Sequence, residues 1–201
     1  MGTAGSRLLV SSVPLAMILS CWPGVWTSLT GDVPPNLHVV EEDRVYRSAQ
    51  PTPAQLASAI ELFGLRTVVN LRGSNPGRVW YDAERAICQE WGVTLVDHPM
   101  SATSLPSPEL LEAITQTLLT AEYPMLIHCQ AGADRTGAVS AIYRMLVLGH
   151  DRADALAELS PAYLHFRVFT PCMDTLAERY EPGPEWLAEY AAGFDEIPCT
   201  P

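Results

Sequence analysis

The chain has 201 residues, of which 12 are basic and 23 acidic, so its formal net charge at pH 7 is −11. Hydrophobic residues make up 48 % and charged residues 17 %, which is typical of a globular chain rather than a disordered one. The excess of acidic residues argues against nucleic acid as a partner. The sequence contains no lysine, which excludes a Walker A motif and a Schiff-base enzyme.

The first feature along the chain is an uncharged segment over residues 8–29. It is long enough to span a bilayer, and a basic residue precedes it while acidic residues follow it. We therefore predict a membrane anchor or signal segment over residues 1–30. Residues 31–201 would then form an exported or membrane-anchored domain outside the cytoplasm. A cleaved signal peptide, lipidation at Cys21 and an apolar core helix are the alternatives.

Strands and helices are predicted to alternate along the rest of the chain. Short apolar runs bounded by turn residues predict strands at residues 37–40, 44–47, 66–71, 93–96 and 125–128. Segments that begin at capping residues or prolines predict helices at residues 53–63, 78–91, 107–121, 136–148, 151–160, 162–180 and 185–192, the sixth of them interrupted at Pro171. This order predicts a single α/β domain with a mainly parallel sheet, flanked by helices and extended by a C-terminal helical cluster.

The segment HCQAGADRTG, from His128 to Gly137, lies between a predicted strand and a predicted helix. In this context the backbone N–H groups of a tight loop and of the helix N-terminus bind anions. Five residues separate Cys129 from Arg135, which allows the loop to curl around one phosphate and the guanidinium to bind it bidentately. We therefore expect a phosphate-binding loop made of Gln130, Ala131, Gly132, Ala133, Asp134, Arg135 and Thr136.

The backbone N–H groups, the helix N-terminus and the Arg135 guanidinium also create a positive potential at the Cys129 sulfur. A thiol at a helix N-terminus near an arginine favours the thiolate form, which is a nucleophile toward phosphorus. The expected reaction transfers a phosphoryl group to sulfur and then to water, with Arg135 and the loop amides stabilising the transition states. We expect neither a metal nor a cofactor, because the loop itself supplies the positive charge.

The leaving oxygen requires a proton, and carboxylic acids are the usual donors. Asp97 is the first candidate, because it ends a predicted strand and opens a loop that could lie over the pocket. Asp134 is the second candidate, although its carboxylate could instead cap the following helix.

The pattern His128-Cys129-x-x-Gly132-x-x-Arg135-Thr136-Gly137 resembles the signature of cysteine-dependent protein tyrosine and dual-specificity phosphatases. VYRSAQP, beginning at Val45, and TVVNLR, beginning at Thr67, are similar to the opening segments of bacterial atypical dual-specificity phosphatases. The resemblance covers roughly residues 37–180. It implies a sheet of about four or five strands, a Cys129 nucleophile, an Arg135 phosphate ligand, and a phosphorylated protein or small phosphomonoester as substrate.

Several alternatives stay open from the sequence alone. The chain could be a phosphate-binding module without catalysis, a thiol oxidoreductase or a sulfurtransferase. An inositol phosphate or phosphoinositide is an alternative substrate, although the neutral and acidic residues of the loop disfavour the highly phosphorylated ones. Arg47 and Arg72 are interpreted either as substrate-rim residues or as structural ion-pair partners. Three cysteines, namely Cys88, Cys172 and Cys199, are predicted to be buried thiols or to include one bridge.

Overall fold

The computed structural model describes residues 33–199. The predicted anchor or signal segment lies outside these residues. All described residues belong to one compact unit, Asp32–Pro201. Within residues 33–199, no helix combines the length and apolar character that a membrane span requires.

Five strands of four residues each form one sheet. They are β1 (His38–Glu41), β2 (Val45–Ser48), β3 (Thr67–Asn70), β4 (Thr94–Asp97) and β5 (Met125–His128). The order across the sheet is β1-β2-β5-β3-β4, with β1 antiparallel to β2 and the other neighbouring pairs parallel. The parallel strands therefore end at one edge, which carries Ser48, Asn70, Asp97 and His128.

Seven α-helices accompany the sheet in the described part of the chain. They are α1 (Pro53–Phe63), α2 (Val79–Trp91), α3 (Pro108–Thr120), α4 (Asp134–Leu146), α5 (Arg152–Ala155), α6 (Pro171–Arg179) and α7 (Pro184–Gly193). A capping box between Thr52 and Gln55 starts α1, and Ser107 caps α3. The predicted α/β fold with a mainly parallel sheet and a C-terminal helical cluster is thus confirmed.

The two faces of the sheet bury different helices, because successive side chains on a strand point in opposite directions. On the central strand β5, Leu126 packs in a cluster with residues of α1 and α2. Its neighbours Met125 and Ile127 pack in the larger cluster formed with α3, α4 and α6. Covering both faces fixes the sheet and holds the carboxyl end of β5 in place, directly before Cys129.

The prediction of a helix over residues 162–180 is wrong in its first half. A 3₁₀ turn spans Pro161–Tyr163, Leu164 adopts a left-handed conformation with φ of 65°, and α6 begins only at Pro171. Proline disfavours the helical conformation of the residue before it, which explains the start at Pro171. The predicted helix over 151–160 is also shorter, since α5 ends at Ala155 and a 3₁₀ turn follows.

One disulfide bond joins the C-terminal segment to α6. Cys172 and Cys199 are bonded, with their Cα atoms 4.7 Å apart, whereas Cys88 and Cys129 are free and buried. This pairing answers the question that the cysteine spacing left open. It also ties the chain end to the helix cluster that packs behind the loop after β5.

Candidate active site

The loop after β5 packs closely against the segment that follows β2. Gly132 has a φ of +68°, and a Cβ atom at this position would lie 2.4 Å from the backbone carbon of Ser48. Only glycine satisfies both the left-handed conformation and this close approach. Next to it, the N–H of Gln50 donates to the carbonyl oxygen of Gln130 at 3.3 Å. These contacts hold the loop in a tight curve between Cys129 and α4.

Arg47 is a structural residue rather than part of the rim. Its side chain is fully buried, and its Nη2 donates to the carbonyl oxygens of Gly132 at 2.7 Å and Ala133 at 3.3 Å. Its Nη1 lies 2.5 Å from the Glu158 carboxylate. In a trans peptide the N–H points opposite to the C=O. The N–H groups of Ala133 and Asp134 are therefore turned away from Arg47.

Arg135 closes the other end of the loop. Its Nη1 donates to the carbonyl oxygens of Leu71, at 3.3 Å, and Met100, at 3.2 Å. None of the carboxylates in residues 33–199 pairs with its guanidinium, and its Nε is buried without a partner. The Thr136 hydroxyl, one residue later, is also buried and unpaired. A partly buried guanidinium without a carboxylate partner, beside an unpaired buried hydroxyl, forms a site suited to an external anion.

The two candidate acids lie in different surroundings. Asp97 ends β4, and its oxygens accept hydrogen bonds from Asn70 Nδ2, at 2.8 Å, and from the Tyr81 hydroxyl. Asp134 accepts bonds from Thr170 and from His165, each at 2.8 Å. Burial opposes ionisation of Asp134, but the hydrogen bonds from His165 and Thr170 outweigh it and lower its pKa. Asp134 is therefore a poor proton donor, and Asp97 stays the predicted acid.

A buried histidine connects the loop to the C-terminal helices. The His165 ring lies between two carboxylates, with Nδ1 2.8 Å from Asp134 and Nε2 2.9 Å from Asp174 of α6. Burial disfavours the charged ring, but hydrogen bonding to Asp134 and attraction to Asp174 raise the pKa of His165. The sequence analysis did not predict this pair of contacts, because His165 lies 31 residues from Asp134.

Glu84 is a second residue that the sequence analysis missed. It lies on the buried side of α2 with Tyr81 and Cys88, and its Oε1 is 2.8 Å from the Nε2 of His128. Burial of the Cys88 thiol, and then the charge of Glu84, raise the pKa of Cys88 to about 12. A charged residue at helical spacing among buried residues was the available signal.

Arg72 lies at the edge of the site. Its guanidinium is 3.6 Å from the centre of the Trp80 ring, and its Nη1 donates to Gln50 Oε1 at 3.0 Å. Burial and then the nearby charge of Arg135 lower the pKa of Arg72. The Trp80 ring supports this guanidinium through a cation–π contact. Arg72 thus combines a structural contact with a position close to Arg135.

Between residues 33 and 199, the His, Cys, Asp and Glu side chains form no group of three positioned to hold an ion.

A parallel sheet edge that leads through a Cys-x₅-Arg loop into a helix defines the class of cysteine-dependent phosphatase folds. The family model described as "DSP-PTPase phosphatase fused to NAD+ Kinase" matches residues 14–166, and the chain belongs to this family. The dual specificity protein phosphatase TpbA of Pseudomonas aeruginosa is 33 % identical over 116 residues. The match covers 57 % of this chain and 49 % of TpbA, so the chain spans about half the length of this relative.

Solved structures support the same fold. A crystal structure of P. aeruginosa TpbA in complex with pTyr superposes with a TM-score of 0.59 at 24 % identity, over 78 % of this chain and 90 % of that one. The catalytic domain of the PP-IP phosphatase SIW14 from S. cerevisiae, in complex with citrate, gives 0.62 at 23 % identity, over 84 % and 98 %. At this level of identity the similarity establishes the fold.

Proposed function

We propose that the chain is a phosphatase that hydrolyses phosphomonoesters, with phosphotyrosine, phosphoserine or phosphothreonine in proteins as the main substrates. The observation that carries this proposal is the loop itself. Cys129 and Arg135 lie at its two ends, and the partly buried guanidinium lacks a carboxylate partner among residues 33–199. The relative TpbA is a dual specificity protein phosphatase, and one of its structures holds pTyr, which supports the same class of substrate.

The reaction follows from the placement of these groups. The Cys129 thiolate attacks phosphorus, forming an S–P bond while the bond to the ester oxygen breaks. Asp97 supplies the proton to that oxygen in our proposal. Water then attacks the phosphocysteine, the S–P bond breaks, and the water proton returns to the carboxylate. Loop amides and Arg135 stabilise the charge on the three equatorial oxygens in both steps.

A second candidate function is hydrolysis of an inositol phosphate. The structural similarity to a PP-IP phosphatase favours it, and so does Arg72, a second guanidinium near Arg135. Against it, the loop carries neutral Gln130 and Ala133 and acidic Asp134. Turnover of inositol phosphates and of phosphotyrosine peptides by the same preparation would distinguish the two substrates.

We also propose that this domain acts outside the cytoplasm. The uncharged segment over residues 8–29 supports export or membrane anchoring. The disulfide between Cys172 and Cys199 supports an oxidising compartment. Fractionation of cells that express the full chain tests this proposal, and recovery of the protein in the cytosol with reduced Cys172 contradicts it.

The direct test of the activity compares the parent with Cys129→Ser on an aryl phosphate. We expect turnover to fall by about three orders of magnitude or more, because the hydroxyl is not ionised at neutral pH. Cys88→Ser is the matched control, since Cys88 is the other free, buried cysteine among the described residues, and it should keep the parent rate. If the parent binds phosphate but turns over no ester, the chain is a binding module. Turnover of thiosulfate in place of esters would instead identify a sulfurtransferase.

A further inference from the structure

The loop between β4 and α3, over residues 98–107, contacts both the site and the C-terminal helices. Near its start, the carbonyl oxygen of Met100 accepts a hydrogen bond from Arg135 Nη1 at 3.2 Å. Near its end, the carbonyl oxygen of Pro106 accepts one from the hydroxyl of Tyr190, in α7, at 2.7 Å. The β4–α3 loop therefore connects the proposed phosphate ligand to a helix near the end of the chain.

Further contacts hold the middle of the β4–α3 loop against the same helices. The sulfur of Cys172, in α6, lies 3.1 Å from the carbonyl oxygen of Thr103. The side chain of Met100 is buried, and it belongs to the same apolar cluster as Cys172 and Tyr190. The place of the Met100 carbonyl oxygen therefore depends on the C-terminal helices as well as on β4.

Tyr190 is suited to fix this loop because its hydroxyl has little freedom to move. Its side chain is only 4 % exposed, and its ring stacks on Trp186, with the ring centres 5.1 Å apart, and contacts Phe194 edge-on. Burial also raises the pKa of Tyr190, so the hydroxyl stays protonated and able to donate. Without this donor, the buried carbonyl oxygen of Pro106 would lose its hydrogen bond from α7.

We propose that Tyr190 is a positioning residue for phosphate binding, because it fixes the loop whose Met100 carbonyl oxygen orients the Arg135 guanidinium. A guanidinium binds phosphate as a planar fork, so its orientation decides whether both of its bonds can form. The other acceptor of Arg135 Nη1 is the carbonyl oxygen of Leu71, which directly follows β3 and lies outside the β4–α3 loop. Of these two contacts, the one to Met100 moves with the loop. This inference rests on the proposed function only in taking Arg135 as the phosphate ligand.

The test measures binding of inorganic phosphate, by isothermal titration calorimetry, to the parent and to Tyr190→Phe. Phenylalanine keeps the ring packing and removes only the hydroxyl. We expect the affinity for phosphate to fall about threefold to tenfold, because the binding-competent position of the loop loses one hydrogen bond. Tyr180→Phe is the matched control. Tyr180 is also buried and packs on Trp186, but among residues 33–199 its hydroxyl has no hydrogen bond to the β4–α3 loop, so this variant should bind phosphate like the parent.

Amide hydrogen exchange and urea unfolding separate positioning from a purely structural role. The amides of residues 98–107 should exchange faster in Tyr190→Phe than in the parent or in Tyr180→Phe. A purely structural hydroxyl would lower the free energy of unfolding and leave the phosphate affinity of the folded protein unchanged, which would overturn the proposal. Weaker phosphate binding without faster exchange in the β4–α3 loop would also overturn it.

Phosphate binding does not depend on hydrolysis, so this inference and the proposed function can fail separately. A parent that hydrolyses no ester, but whose phosphate affinity falls in Tyr190→Phe, would refute the proposed function and leave this inference standing. A parent that hydrolyses esters, with equal phosphate affinity in both proteins, would overturn this inference alone. A parent that binds no phosphate would overturn both.

Discussion

Gly132 lies very close to the backbone of Ser48 and Ala49. The substitution Gly132→Ala should therefore have a large effect. The added Cβ would lie 2.4, 2.5 and 2.6 Å from three backbone atoms of Ser48 and Ala49, about 1 Å closer than an ordinary contact. Backbone atoms cannot rotate away as a flexible side chain can. The left-handed conformation alone costs about 1–2 kcal/mol for alanine, and relieving the overlap adds about 1–3 kcal/mol. Gly132→Ala should therefore destabilise the fold by about 2–5 kcal/mol.

The same shift should impair catalysis. A loop displaced by about 1 Å loses about a hundredfold in rate, because the amides no longer match the phosphate oxygens. Gly64→Ala is the matched control, since Gly64 also has a positive φ, +61°, but its Cβ would meet nothing within 4 Å. Gly64→Ala should lose only the stability that the left-handed conformation costs an alanine, and it should keep full activity. Urea unfolding and aryl phosphate hydrolysis measure the two effects. Equal stability of the two variants, with activity kept in both, would refute the close packing of the loop.

Three further predictions concern groups around the site. Asp97→Asn should slow hydrolysis of phenyl phosphate by about a hundredfold or more, and p-nitrophenyl phosphate much less, because a better leaving group needs no proton; an equal loss for both esters would exclude Asp97 as the acid. The raised pKa of His165 means that its ion pairs stabilise the fold fully below pH 6.5 and that this stabilisation is lost as pH rises through the raised value. In His165→Gln the stability deficit relative to the parent should therefore shrink with rising pH in urea titrations, and a deficit independent of pH would contradict the ion pairs. Cys199→Ser should lose about 3–4 kcal/mol, as expected for a 27-residue separation, and keep its activity; unchanged unfolding would show that the bond does not form.

The sequence was sufficient for the sheet and for the loop between β5 and α4. Apolar runs located all five strands to within one or two residues, and the capping box located α1. The Cys129–Arg135 spacing between a strand and a helix identified the loop, because strand and helix ends impose its curvature. These features depend on local patterns, which are readable from one chain.

The sequence could not show the contacts that support the loop. Arg47 and Glu158 are 111 residues apart, and His128 and Glu84 are 44 apart, so only the tertiary fold brings them together. The first part of the helix predicted over residues 162–180 is wrong for a related reason. His165 is placed between two carboxylates there, and tertiary hydrogen bonds override helical propensity.

The covalent intermediate is the most direct test of the account. The parent should be mixed with an aryl phosphate, quenched within milliseconds, and digested for mass spectrometry. We predict one phosphoryl group on the peptide that contains Cys129, bound through sulfur and absent in Cys129→Ser. Steady turnover with no phosphorylated peptide, or with the phosphoryl group on another residue, would contradict a nucleophilic role for Cys129.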